Sequence, residues 1–130
     1  MNKSYLFVYG TLMQGKHPMH DVLSQHSQFI GHGWITAQLY QIRDYPGVVL
    51  SDTPGDKVFG ELYLLTNPAV LQQLDDYEEC SASFAEPHEY RREQVVVYVS
   101  AAVSYTAWVY VYNLPLTASR RIRSGRFQSD

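Results

Sequence analysis

Hydrophobic and polar positions divide the chain into short apolar runs separated by Gly- and Pro-containing breaks, a pattern of many strands and few helices. The first run, Ser4-Tyr5-Leu6-Phe7-Val8-Tyr9, is nearly all apolar and predicts a strand buried on both faces that stops at Gly10. Pro18 to Gln25 predicts a short helix. Phe29 to Ile42 predicts one long or two broken strands, with Gly31 and Gly33 as bends. Tyr45-Pro46-Gly47 and Thr53-Pro54-Gly55-Asp56 are turn signals flanking a short strand at Val48 to Leu50. Further strands are expected at Phe59 to Tyr63, near Glu93 to Val99 and at Thr106 to Tyr112, the last two as a hairpin.

Asn67-Pro68 opens the clearest helix, which is expected to run to about Glu78. Asn67 is a good N-cap, and Pro68 suits the first helical position, where a missing N–H costs nothing. At roughly 100° per residue, Val70, Leu71, Leu74 and Tyr77 cover one stripe about 120° wide. Glu78 falls inside that stripe, whereas Gln72, Asp76 and Glu79 point away and Asp75 sits on its flank. The order strand, helix, strands, helix, strands implies an α+β fold with a curved, largely β core.

Composition narrows the class. The 130 residues suit one domain, and 45% hydrophobic against 18% charged residues supports a packed core. A net charge of −3 argues against general nucleic-acid binding, which needs a basic face. One cysteine, Cys80, cannot form an intramolecular disulfide and suits a reducing compartment; its expected character is that of a passive thiol. The N-terminal apolar stretch is too short for a signal peptide, and no run reaches the ~18 residues of a membrane span. These features predict a cytoplasmic protein without membrane attachment. After Asn113 the chain loses apolar periodicity and carries Arg120, Arg121, Arg123 and Arg126. Residues 114–130 are therefore expected to be a mobile or helical Arg-rich tail, dispensable for a domain spanning 1–113.

Motifs for dinucleotides, nucleoside triphosphates and zinc are missing; His88-Glu89-Tyr90-Arg91-Arg92 lacks the second histidine of a zinc-protease helix. The five histidines show no zinc spacing, and neither a metal nor a cofactor is expected. Two features remain. Glu78 is an acid aimed at a core: either the last turn frays and it escapes to water, or it needs a partner or shifts its pKa upward, in the direction a general acid/base near neutral pH requires. Tyr9-Gly10-Thr11-Leu12, leaving a buried strand, permits close approach of a ligand to the backbone, and its N–H groups can cradle an anion.

With Tyr45-Pro46-Gly47, Gly60-Glu61-Leu62-Tyr63, Leu74-Asp75-Asp76-Tyr77-Glu78, Tyr90-Arg91-Arg92 and Ala107-Trp108-Val109-Tyr110-Val111-Tyr112, these features recur in one order over residues 4 to 113. The ordered set resembles the γ-glutamylcyclotransferase-like superfamily, in its γ-glutamylamine cyclotransferase-like and AIG2-like branch. The resemblance implies a compact mixed β-barrel with two short helices and a pocket at the end of the first strand. It implies a γ-glutamyl substrate bound by Tyr9, Gly10, Thr11 and Leu12, with Glu78 as proton acceptor. The products would be 5-oxoproline and a free amine or amino acid. Glu79 departs from the glycine common after that acid, and the Arg-rich tail has no counterpart in the pattern. Two alternatives stand beside this reading: a non-catalytic small-ligand-binding relative, and a tyrosine-rich interaction domain with a basic tail.

Overall fold

The computed structural model of the chain describes residues 3–10, 19–78, 84–116 and 119–127. Its elements run β1 (Ser4–Val8), α1 (His20–Gln25), β2 (Ser27–Gln41), β3 (Pro46–Leu50), β4 (Lys57–Leu65), α2 (Ala69–Tyr77), β5 (Tyr90–Tyr98), β6 (Ser104–Tyr112) and β7 (Arg120–Arg121). Neighbouring strands follow the order β2-β4-β1-β6-β5, and β5 returns to β2 through the pair Trp34–Tyr98. Five strands thus close on themselves. The β1–β6 pairing, Leu6 opposite Trp108, is parallel, while β4 lies antiparallel to both β1 and β2, and β5 to β6. The result is a mixed five-stranded barrel with two helices, the α+β architecture expected.

The stretch expected as one or two strands forms one long strand, β2, which ends at Gln41. Gly31 marks a register shift against β4, a bulge that bends the strand without ending it. Gly33 sits where the barrel closes: a Cβ there would lie 2.6 Å from the Tyr98 carbonyl oxygen. Past the closure, β2 carries β3 on one edge, from Ala37 opposite Leu50 to Gln41 opposite Pro46. The β5–β6 hairpin forms as expected, in register from Tyr90 opposite Tyr112 to Tyr98 opposite Ser104.

Strand alternation builds two cores. Phe7, Ile35, Leu39, Val58, Leu62, Val97 and Val109 point into the barrel. Leu6, Val8 and Tyr110 face outward and are covered by Leu23 of α1 and by Val70, Leu71 and Leu74 of α2. This double burial explains why β1 reads as an almost unbroken apolar run. The N-terminal signal of α2 also acts as expected: the Asn67 Oδ1 accepts the Ala69 N–H at 3.1 Å, and Pro68 adopts helical φ −60°, ψ −19°.

The helical stripe is rotated from its expected position. Tyr77 is 44% exposed, whereas Asp75 turns inward and is held by Arg92 and Tyr110. The buried face therefore runs from Val70 to Asp75, its centre turned by about 30°. A polar residue replaces an aromatic at its border because β5 and β6 supply hydrogen-bonding partners there.

The expectation of a tail separate from the barrel does not hold for residues 119–127. Arg120 and Arg121 pair with Gln41 and Tyr40 as β7, and the Ile122 N–H donates to the Leu39 carbonyl at 2.7 Å. The Arg121 Nη2 donates to the Asp56 Oδ1 at 2.9 Å, which answers the cost of drawing an arginine toward the protein. Phe127 is buried in the barrel core. A segment can lack periodicity and still pack when it lies as a single turn-rich strap across the barrel.

Candidate active site

Glu78 follows the last turn of α2, its N–H donating to the Leu74 carbonyl at 2.8 Å. Burial, and then the nearby Glu89 carboxylate, push its carboxyl up to about 7 from an ordinary 4.5. The Glu78 charge in turn acts on the phenols of Tyr9 and Tyr90, both raised far above the usual tyrosine value, chiefly by burial. The acid, these two tyrosines and Glu89 thus form one electrostatically linked group.

Tyr9, one residue past β1, donates its hydroxyl to the Tyr110 carbonyl at 2.6 Å. Tyr90, at the start of β5, donates to the Pro46 carbonyl at 2.7 Å. Its ring meets Tyr112 edge-on at 5.7 Å and Tyr45 at 6.3 Å. Tyr45 donates to the Glu89 Oε2 at 2.6 Å; burial and that hydrogen bond raise its hydroxyl to about 12. Glu89 is fixed from its backbone, since its carbonyl accepts the Asn113 N–H at 2.7 Å. Tyr9, Tyr45 and Tyr90 are therefore neutral hydrogen-bond donors at physiological pH. With Tyr112 they wall the site on the side of β5, β6 and the Tyr45-Pro46 turn.

Of the residues marked from sequence, Glu78 and Tyr9 are brought together. Gly10 is buried at the end of β1, with its α-carbon against Pro46. Thr11 and Leu12, like Glu79, Cys80 and His17, lie outside the described residues. Among the described residues no group of three or more His, Cys, Asp or Glu is placed to hold a metal ion. Tyr45, Glu89, Tyr90 and Tyr112 were not marked as site residues. The available signal is the concentration of eleven tyrosines, and Glu89 lies inside the stretch that lacks the second histidine of a zinc motif.

Gly10→Val is expected to abolish ligand binding, with unfolding contributing to the loss. A Cβ at Gly10 would stand 2.7 Å from Pro46 Cγ and 3.2 Å from Cδ, a rigid ring that cannot swing aside. Binding of 5-oxoproline by calorimetry, read beside the melting temperature, checks this; a variant with wild-type binding places the pocket elsewhere.

The mixed five-stranded barrel with two helices is the γ-glutamylcyclotransferase-like fold. The family model described as "Gamma-glutamyl cyclotransferase, AIG2-like" matches residues 6–129, a span that includes the Arg-rich segment. The chain belongs to this family. It is 33% identical over 122 residues to the gamma-glutamylcyclotransferase family protein YtfP of Escherichia coli, covering 92% of each chain. Among solved structures it is similar to an AIG2-like protein from Mus musculus, with a TM-score of 0.66, 29% identity, and 85% of this chain and 78% of that one covered. It also resembles YkqA from Bacillus subtilis, with a TM-score of 0.70 and 25% identity over 97% of this chain, spanning 40% of YkqA. No helix among the described residues is long and apolar enough to cross a membrane.

Proposed function

We propose that the protein is a γ-glutamyl cyclotransferase that releases 5-oxoproline and a free amine or amino acid from a γ-glutamyl substrate. The observation that carries this reading is the half-buried Glu78 carboxyl, raised to about 7 and electrostatically linked to Tyr9 and Tyr90. A group with that pKa is divided between its two protonation states at neutral pH and serves as both base and acid.

In the proposed reaction Glu78 takes a proton from the substrate α-amino group. That nitrogen attacks the substrate's own γ-amide carbonyl carbon, forming the C–N bond of a five-membered lactam. The tetrahedral intermediate collapses as the original amide C–N bond breaks, and Glu78 returns its proton to the departing nitrogen. Nucleophile and electrophile belong to one molecule, so the protein's task is to hold the folded-back conformer. Tyr9, Gly10, Thr11 and Leu12 bind the γ-glutamyl moiety in this proposal. The roles of Thr11 and Leu12 rest on the family resemblance of the Tyr-Gly-Thr-Leu motif. The acid argues for turnover rather than mere binding, because a binder of glutamyl carboxylates gains nothing by burying a further carboxyl beside them.

Incubating the purified protein with a panel of γ-glutamyl amines and γ-glutamyl amino acids should yield 5-oxoproline, detected by mass spectrometry. A folded protein that releases none from any panel member would exclude the proposed activity. Saturable binding of the same compounds without release would favour the non-catalytic alternative.

A further inference from the structure

We propose that Asp75, Arg92 and Tyr110 form a clamp that aims the Glu78 carboxyl at the Tyr9–Gly10 end of β1, making all three positioning residues. The inference rests on the reading of Glu78 given above.

Glu78 directly follows α2, so its direction is set by the last helical turn. Asp75 lies three residues earlier on that turn and is a near neighbour on the helix surface. Its carboxylate is held on three sides. The Arg92 Nε donates to Oδ1 at 2.8 Å and Nη2 to Oδ2 at 3.0 Å, while the Tyr110 hydroxyl donates to Oδ1 at 2.8 Å. A forked guanidinium–carboxylate pair fixes orientation as well as distance, which a single point-charge contact cannot do. The Arg92 guanidinium is itself seated 4.3 Å over the Trp108 ring. The Arg92 and Asp75 side chains are 24% and 13% exposed, so solvent screens the pair less than a surface one.

Tyr110 links the two halves of the site. Its hydroxyl holds Asp75, and its backbone carbonyl accepts the Tyr9 hydroxyl at 2.6 Å. One residue of β6 thus ties the acid-bearing helix and the exit of β1 to the same strand. Val70, Leu71 and Leu74 already attach α2 to the barrel by burial, leaving rotation about its axis to be set by a directional contact. The neighbouring Arg91–Glu93 pair, 3.2 Å apart and 49% and 37% exposed, faces solvent and provides a control.

The test uses the full chain. Tyr110→Phe removes one hydroxyl while keeping the ring and the carbonyl used by Tyr9. Arg92→Lys keeps the charge without the fork, Arg92→Gln removes both, and Arg91→Lys is the control. Three readouts are needed: kcat and KM for 5-oxoproline release across neutral pH, the melting temperature, and the Glu78 carboxyl titration by ¹³C NMR. Among the described residues, Glu89, Tyr9 and Tyr90 interact electrostatically with Glu78, and none of them is altered.

Tyr110→Phe should lower kcat about 10-fold with KM within about twofold, the mark of an interaction that matters in the transition state. Arg92→Lys should retain more activity than Arg92→Gln, and the Glu78 midpoint should move in all three variants but not in Arg91→Lys. Wild-type kcat and an unshifted Glu78 midpoint in folded Tyr110→Phe and Arg92→Lys would overturn the clamp. If the unaltered protein releases no 5-oxoproline, the cyclotransferase reading fails. The Glu78 titration then decides the clamp alone, an unshifted midpoint in the variants overturning it and a shifted one supporting it.

Discussion

Glu78→Gln should lower turnover at least about 10²-fold while the protein stays folded. The amide retains the size of the side chain and fills the same space, so substrate binding should fall less than turnover. The pH–rate profile of the unaltered protein should rise along a limb governed by a group titrating near 7, where Glu78 is placed, and not near the ordinary glutamate value of 4.5. Stability gives an independent check. The folded-state pKa lies above the unfolded one, so the folded protein binds the Glu78 proton more tightly, and this contribution is complete below pH 4.5. It is lost as pH rises through about 7, because ionisation then places a charge in a poorly solvated position. Glu78→Gln cannot ionise there. Its melting temperature relative to the unaltered protein should therefore climb between those limits and level off above them. Asp76→Asn, on the exposed face of α2, should change neither quantity appreciably. A folded Glu78→Gln protein with near-normal turnover would refute the mechanism, and loss of activity together with loss of fold would make Glu78 a structural residue.

Removing everything after Pro115 should destabilise the barrel severely, the opposite of what the sequence alone suggests. The segment brings Phe127 into the core at 8% exposure, and Phe-to-Ala changes in such positions cost about 3–5 kcal/mol. Phe127→Ala by itself should then lower the melting temperature by about 10 °C or more. Gly125→Ala should be damaging for a different reason. Gly125 has φ +71°, and a Cβ would lie 2.0 Å from the Lys57 carbonyl oxygen, beside the point where the Phe59 N–H donates to the Gly125 carbonyl at 2.8 Å. The strap is also fastened electrostatically. Asp56 accepts hydrogen bonds from Gln38, Ser51 and Arg121, which hold its carboxyl down at about 2, and the Arg126 guanidinium lies 4.1 Å over the Phe59 ring. Thermal unfolding of the truncated and substituted proteins reads these effects directly. A truncated protein melting within a few degrees of the full chain would show that the strap adds nothing to the core.

Much of the molecule is determined locally and is therefore legible in the sequence. The doubly buried β1, the Asn67-Pro68 start of α2 and the β5–β6 hairpin follow from apolar runs, a capping side chain and turn residues, all of which act over a few positions. The inward aim of Glu78 belongs to the same group, because helical periodicity carries it from Leu71 and Leu74. The ordered motifs from Tyr9-Gly10 to Tyr112 carry the family resemblance for the same reason: each is short and continuous.

What the sequence could not disclose depends on contacts between distant segments. The rotation of α2 that turns Asp75 inward and Tyr77 outward is decided by Arg92 and Tyr110, which lie beyond the helix and have no local signature. Glu89 shapes the Glu78 carboxyl only because the start of β5 meets the end of α2 in space. The Arg-rich segment reads as a solvated tail because its charges dominate its composition. Its place in the fold rests on β2 having a free edge at Tyr40 and Gln41, and on Asp56 standing ready for Arg121. Local propensity and periodicity thus determine the elements and the identity of the acid. The surroundings that raise its pKa arise from burial and charge proximity, which exist only once the barrel has closed.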